Sequence, residues 1–177
     1  MVTSPDNVMF PTLVVGSLPR PQWVRDLIEA RKAGRLGEKE ASGLLDDAVP
    51  LVLRMQERAG LDFISDGEWR RESFVKVFAD SVDGFEADLV TNGALSLHAP
   101  TNPAVVGRLT SRRSMAADEA RFLREHTDSK IVVAVPSPYT IGRAMWSPEH
   151  SRSAYATREA FMDACIPIVR DEIRQLA

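Results

Sequence analysis

The chain has 177 residues, 44% of them hydrophobic and 27% charged, and a net charge of -3. One sizeable core is within its reach, and with neither an apolar run near membrane-span length nor a signal-type start, a soluble cytoplasmic chain is expected. The slight acidity excludes the basic face that nucleic acid or an anionic membrane would need, and the lone Cys165 excludes an internal disulfide.

Residues 12–15, Thr-Leu-Val-Val, form a β-branched run closed by Gly16 and predict a first strand. Pro21 suits the first turn of a helix reaching about Ala33, with Trp23, Leu27 and Ile28 on one face. Across residues 38–59, Ala41, Leu44, Leu45, Ala48, Val52 and Met55 recur at helical spacing, Gly60 stands where a C-terminal cap glycine belongs, and Pro50 predicts a kink. Residues 61–65 read as a second strand. A short helix over 73–81, a turn at Asp83-Gly84 and a β-arm over 85–97 folding at Asn92-Gly93 follow.

Residues 103–109 predict a third core strand and residues 115–126 a helix. A fourth strand over 130–135 is ended by Pro136-Ser137-Pro138, because proline cannot donate to a ladder. The last helix runs over 157–176 with Thr157 as N-cap candidate and Pro167 as an interior kink. Cys165 on that helix reads as a buried structural thiol, and with His98, His126 and His150 it has no zinc-ligand spacing.

Strands and helices in alternation, with no repeat or linker, predict one α/β domain over 1–177 whose parallel sheet is covered by helices. Two arrangements fit: a partial (β/α)8 TIM barrel of about four βα units with a β-hairpin arm, or an open doubly wound sheet. In both, chemistry gathers at the carboxyl ends of strands. The motifs Gly16-Ser17-Leu18-Pro19-Arg20 and Asp66-Gly67-Glu68-Trp69-Arg70-Arg71, each at a predicted strand exit, are therefore expected to share one mouth.

Four fragments in order, Val15-Gly16-Ser17-Leu18-Pro19-Arg20, Gln56-Glu57-Arg58-Ala59-Gly60-Leu61-Asp62, Ser65-Asp66-Gly67-Glu68 and Val135-Pro136-Ser137-Pro138-Tyr139, resemble the catalytic domain of the cobalamin-independent methionine synthase family. The resemblance runs from about Pro11 to the last residue. It implies a (β/α)8 barrel that uses zinc to transfer a methyl group, from methyl-folate or a similar donor, to homocysteine. Metal coordination deprotonates a thiol whose ordinary pKa is about 8.5. Some relatives act on other thiols, including lyase chemistry on coenzyme M.

By the same resemblance, Gly16 and Ser17 hold the amino-acid portion of the thiol substrate and Glu68 takes its ammonium in a charge-assisted hydrogen bond. Asp66 stands beside them, and Arg20 and Arg71 are candidate forks for a carboxylate. Ser137 forms a third wall, and Tyr139 and Trp146 are candidates to stack on a pterin. Asp66 departs from the histidine that better-known members carry two residues before the glutamate, which weakens the homocysteine expectation and admits a related alkyltransferase or lyase.

In the family the zinc ligands come from the second half of the barrel, and a full barrel needs about 250 residues. The chain is thus expected to be a truncated first half: without a metal site or an assigned catalytic residue, inactive alone, and completed by a second polypeptide or by self-association. A non-catalytic remnant that binds a ligand or partner is the remaining reading.

Overall fold

The computed structural model describes residues 9–91 and 102–177 as a mixed α/β fold. In chain order the elements are α1 (Gln22–Lys32), α2 (Glu38–Arg58), β1 (Phe63–Ile64), α3 (Lys76–Ser81), β2 (Val82–Thr91), β3 (Asn102–Ser111), α4 (Ala117–His126), β4 (Lys130–Ile131), α5 (Pro138–Met145) and α6 (Arg158–Leu176). They group into two compact units. The first comprises the described residues up to Arg70 with Glu119–Val133, the second Arg71–Asp118 with Ala134–Ala177.

The core of the first unit is made by Val24 and Ile28 of α1, Leu45, Val49, Val52 and Leu53 of α2, and Ile64, Trp69 and Leu123. The buried face of α2 is rotated from the predicted stripe, leaving Leu44 and Met55 38% and 59% exposed. Gln56 is buried instead because its side chain spans a gap: Nε2 donates to Ser65 O at 2.7 Å and Oε1 accepts from Ser65 N at 3.1 Å. After α2, Gly60 is left-handed (φ 73°), and Gly60 N to Glu57 O and Leu61 N to Gln56 O close the helix end.

Strand β1 pairs in parallel with β4, Phe63 opposite Lys130 and Ile64 opposite Ile131. The strand predicted over residues 12–15 does not form. Thr12 O accepts from Asp62 N and Phe63 N, but Thr12 N, which a ladder would use, donates to the Asp62 carboxylate at 2.8 Å. That side-chain capture ends the pairing after one residue and leaves Val15 88% exposed.

In the second unit β2 and β3 form an antiparallel pair. Residues 103–109 are thus a hairpin arm and not the parallel core strand that was expected, since two extended segments close in sequence pair most readily with each other. The turn expected at Asp83-Gly84 is a bulge inside β2: the register shifts between Asp83 and Phe85. Gly84 has φ 109°, and a Cβ there would lie 2.9 Å from Arg108 O. The expected Asn92-Gly93 turn lies outside the described residues. Among the described residues, one parallel and one antiparallel pair replace the four parallel strands expected.

Phe78, Phe85, Phe161 and Tyr155 pack in a chain of tilted and edge-on rings in this unit. Helix α5 was not expected, although Ser137 accepts from Thr140 N at 3.2 Å as its N-cap and Pro138 occupies its first turn. Thr157 caps α6 as predicted, accepting from Ala160 N at 3.1 Å. Glu172 of α6 is buried and accepts from Ser114 Oγ (2.5 Å), Met115 N (2.9 Å) and Ala116 N (2.9 Å).

Candidate functional site

The turn after β1 departs from ordinary backbone geometry at two successive residues. Gly67 has φ 66° and Glu68 φ 57°, Glu68 being the one non-glycine among the described residues with positive φ. A left-handed conformation costs a residue with a Cβ about 1–2 kcal/mol, so the surroundings must hold it. Inside the turn, Asp66 Oδ1 accepts from Glu68 N at 2.7 Å and Ser65 Oγ accepts from Gly67 N at 3.1 Å. Gln56 anchors Ser65 to α2. Gly67 itself is wedged against the core, where a Cβ would come 3.0 Å from Val52 Cγ2 and 3.2 Å from Leu18 Cβ.

The loop that precedes α1 meets this turn at three points. Leu18 N donates to Gly67 O at 3.1 Å, Arg20 Nη2 to Glu68 O at 2.6 Å, and Ser17 Oγ to Glu68 Oε2 at 2.5 Å. The two motifs read at the strand exits, residues 16–20 and 66–68, are therefore joined. Asp66 is fully buried and Glu68 7% exposed, while Gly16 and Ser17 lie open to solvent.

Asp66, Glu68 and Arg20 come together in this cluster. Burial holds Arg20 below its ordinary pKa, and the charges of Glu68 and Asp66 pull it back up. A carboxylate presented in this way suits a cationic group. Glu68 takes one side-chain hydrogen bond among the described residues, from Ser17, which leaves its other oxygen for such a group. Asp66 is expected to touch a ligand, and one of its oxygens builds the turn that presents Glu68.

Arg70 is not an ion-pair partner of Glu68: its Nε donates to Asp46 Oδ1 at 2.8 Å and its guanidinium lies 3.8 Å over the Phe122 ring. Arg71 belongs to the second unit, is buried, and donates from Nη1 to Ala134 O at 2.6 Å. Ser137, Tyr139 and Trp146 are in the same unit. Ser137 caps α5, the Tyr139 ring is 58% exposed, and Trp146 Nε1 donates to Tyr155 O at 3.1 Å.

Cys165 is buried, and burial pushes its thiol up to about 12, so it is no nucleophile at neutral pH. Among the described residues no group of three or more His, Cys, Asp or Glu is placed to hold a metal ion, and no helix is long and apolar enough to cross a membrane. Sequence reasoning missed Gln56, whose burial breaks the apolar stripe of α2, and the clasp between Thr12 and Asp62. A polar residue on the core face of an amphipathic helix was the available signal for the first.

Comparison with known proteins gives a consistent result. Residues 10–177 match the family described as cobalamin-independent synthase, catalytic domain. The chain is similar to a methionine synthase of Sulfolobus acidocaldarius, with 30% identity over 177 residues, covering 98% of this chain and 50% of the relative. A methionine synthase of Sulfurisphaera tokodaii is 35% identical over 144 residues, covering 78% of this chain and 40% of the relative.

Among solved structures, a B12-independent methionine synthase from Shewanella sp. W3-18-1 in complex with selenomethionine superposes with a TM-score of 0.77 at 27% identity, covering 94% of this chain and 48% of that one. The chain thus spans about half the length of the relatives it matches.

Proposed function

Because this chain belongs to the family of the cobalamin-independent synthase catalytic domain, we propose that its Ser17 loop and Glu68 turn hold the amino-acid end of homocysteine during methyl transfer to the sulfur. The observation that carries the reading is the Glu68 carboxylate, held left-handed at a strand exit with Ser17 on one oxygen. An ammonium on the other oxygen would make a charge-assisted hydrogen bond, worth about 1.5–3 kcal/mol. The Shewanella relative in complex with selenomethionine supports an amino-acid ligand for this fold. Gly16, left-handed at φ 82° and exposed, lets backbone approach the ligand's carboxylate.

For a methyl-folate donor, the exposed Tyr139 ring is better suited to stacking than Trp146, whose indole N–H is engaged by Tyr155 O. The described residues do not fit zinc: no group of three or more His, Cys, Asp or Glu among them is placed to hold it. In this reading the residues that activate the thiol lie outside the described residues 9–91 and 102–177, which bind the amino acid.

The test is an NMR titration of the chain with L-homocysteine and with 2-mercaptoethanesulfonate, a thiol that has no ammonium. Homocysteine should bind and shift the Ser17 and Glu68 amides, the sulfonate should not, and Glu68→Gln should weaken homocysteine at least tenfold. Preference for the sulfonate would move the reading to a related thiol alkyltransferase or lyase. An unchanged affinity in Glu68→Gln would overturn it.

A further inference from the structure

We infer that Arg20 is a positioning residue: by gripping the main-chain carbonyl of Glu68 it fixes the peptide plane that leaves this left-handed residue and so steadies the turn that presents its carboxylate to Ser17. The inference rests on the reading of Glu68 as the ammonium site, and it gives Arg20 a task other than forking a substrate carboxylate.

The restraints on the turn are unequal. The amides of Gly67 and Glu68 are held from within, by Ser65 Oγ and Asp66 Oδ1. The carbonyls of the same two residues are held from outside, Gly67 O by Leu18 N at 3.1 Å and Glu68 O by Arg20 Nη2 at 2.6 Å. The peptide plane between Glu68 and Trp69 therefore has two anchors. One is the Arg20 contact, and the other is Trp69 N to Asp66 O at 3.3 Å, long for an amide hydrogen bond.

Rotation of that plane changes ψ of Glu68, while its positive φ is set by the Gly67–Glu68 plane that Leu18 N and Asp66 Oδ1 hold; the shorter, charge-assisted Arg20 bond opposes the ψ rotation most strongly. Residues 18 and 20, two apart in one loop, thus latch two consecutive carbonyls of the other. Ser17, in the same loop, meets the Glu68 side chain, so backbone and carboxylate are fixed by one element. Burial lowers the Arg20 pKa and the charges of Glu68 and Asp66 oppose that shift, so the guanidinium sits among opposite charges.

The experiment uses the 177-residue chain with Arg20→Met, Arg20→Lys and Glu68→Gln. Ligands are L-homocysteine and homocysteamine, which lacks the carboxylate, and amide hydrogen exchange is recorded without ligand. Positioning predicts that Arg20→Met speeds exchange at Trp69 and Leu18, leaves Val49 and Val52 in α2 unchanged, and weakens both ligands by a similar factor, about tenfold or more. Arg20→Lys should recover part of each effect.

Loss of affinity for homocysteine alone would mean that Arg20 contacts the substrate carboxylate, and would overturn the inference. So would wild-type exchange at Trp69 in Arg20→Met. Should Arg20→Met also lose protection in α2, Arg20→Lys is the deciding variant: recovery there of Trp69 protection and of affinity for both ligands supports the inference, and a loss of affinity for homocysteine alone would overturn it. Failure of the underlying reading shows separately, as an unchanged affinity in Glu68→Gln, because the exchange measurement needs no ligand.

Discussion

Replacing Gly67 by alanine measures how tightly the candidate site is built into the core, and Gly60 supplies an internal control. Both glycines are left-handed, at φ 66° and 73°. An alanine Cβ therefore costs about 1–2 kcal/mol at either position, offset by roughly 0.4–1 kcal/mol because alanine restricts the unfolded chain. At Gly60 nothing lies within 4 Å of the added Cβ, so the net loss should be about 1 kcal/mol or less.

At Gly67 the same atom would meet Val52 Cγ2 at 3.0 Å, Leu18 Cβ at 3.2 Å and Leu18 Cδ1 at 3.3 Å. Val52 is fully buried on α2 and its branched side chain has essentially one rotamer in a helix, so it cannot swing aside. Overpacking of this kind costs about 1–3 kcal/mol, which brings Gly67→Ala to about 1–4 kcal/mol in total. Hydrogen exchange of the α2 core amides reports the stability of the unit that contains both sites. Equal losses for the two variants would show that Gly67 is needed only for its backbone conformation and would refute the packing argument.

Glu172→Ala strips the acceptor from two main-chain amides and a hydroxyl in one step. Thermal unfolding should show a loss of about 2–4 kcal/mol, with Glu172→Gln intermediate because it keeps one acceptor oxygen. The Thr12 amide and hydroxyl hold the Asp62 carboxyl below its usual range, so this clasp is intact above a carboxyl's unfolded pKa of about 4 and is lost as pH falls through the lower folded value. The protection of the Thr12 amide, the slowing of its exchange relative to an unstructured amide at the same pH, should fall on acidification below about pH 4, and in Asp62→Ala it should be low at every pH. Cys165 should resist a water-soluble thiol reagent at pH 8 in the native chain and react fully in denaturant, since burial holds its thiol near 12.

Helices α1, α2, α4 and α6 were legible because periodicity and caps are local: the residues that end α2 and start α6 act within a few positions of themselves. The strands were less so. Residues 12–15 have strand composition, but whether a strand forms depends on a partner, and here the Asp62 side chain takes the amide that pairing would need. Residues 103–109 carry the same apolar signal whether their neighbour is a parallel strand or the arm of a hairpin. Helix α5 was hidden because Pro136 and Pro138 were both read as strand breakers, though a serine followed by proline also starts helices. The site was legible as motifs and not as roles. Nothing in the residue order says that an oxygen of Asp66 turns inward to Glu68 N while Glu68 meets Ser17.

Support for the Glu68 turn comes largely from one face of α2. Gln56 holds both main-chain groups of Ser65, and Ser65 Oγ in turn holds Gly67 N. Val52, one turn earlier on that helix, packs where a Gly67 side chain would stand, and Gln56 Nε2 also reaches Val52 O. The position of Glu68 is thus set from a buried helix as well as from the loop that carries Ser17, Leu18 and Arg20. The face carries a polar residue because the backbone leaving β1 has to be satisfied there, and a hydrocarbon at position 56 would leave Ser65 N and O without these partners. This explains why a stripe read for hydrophobicity alone was rotated from the one that is buried. The helix face is chosen by what the turn requires as well as by what the core excludes.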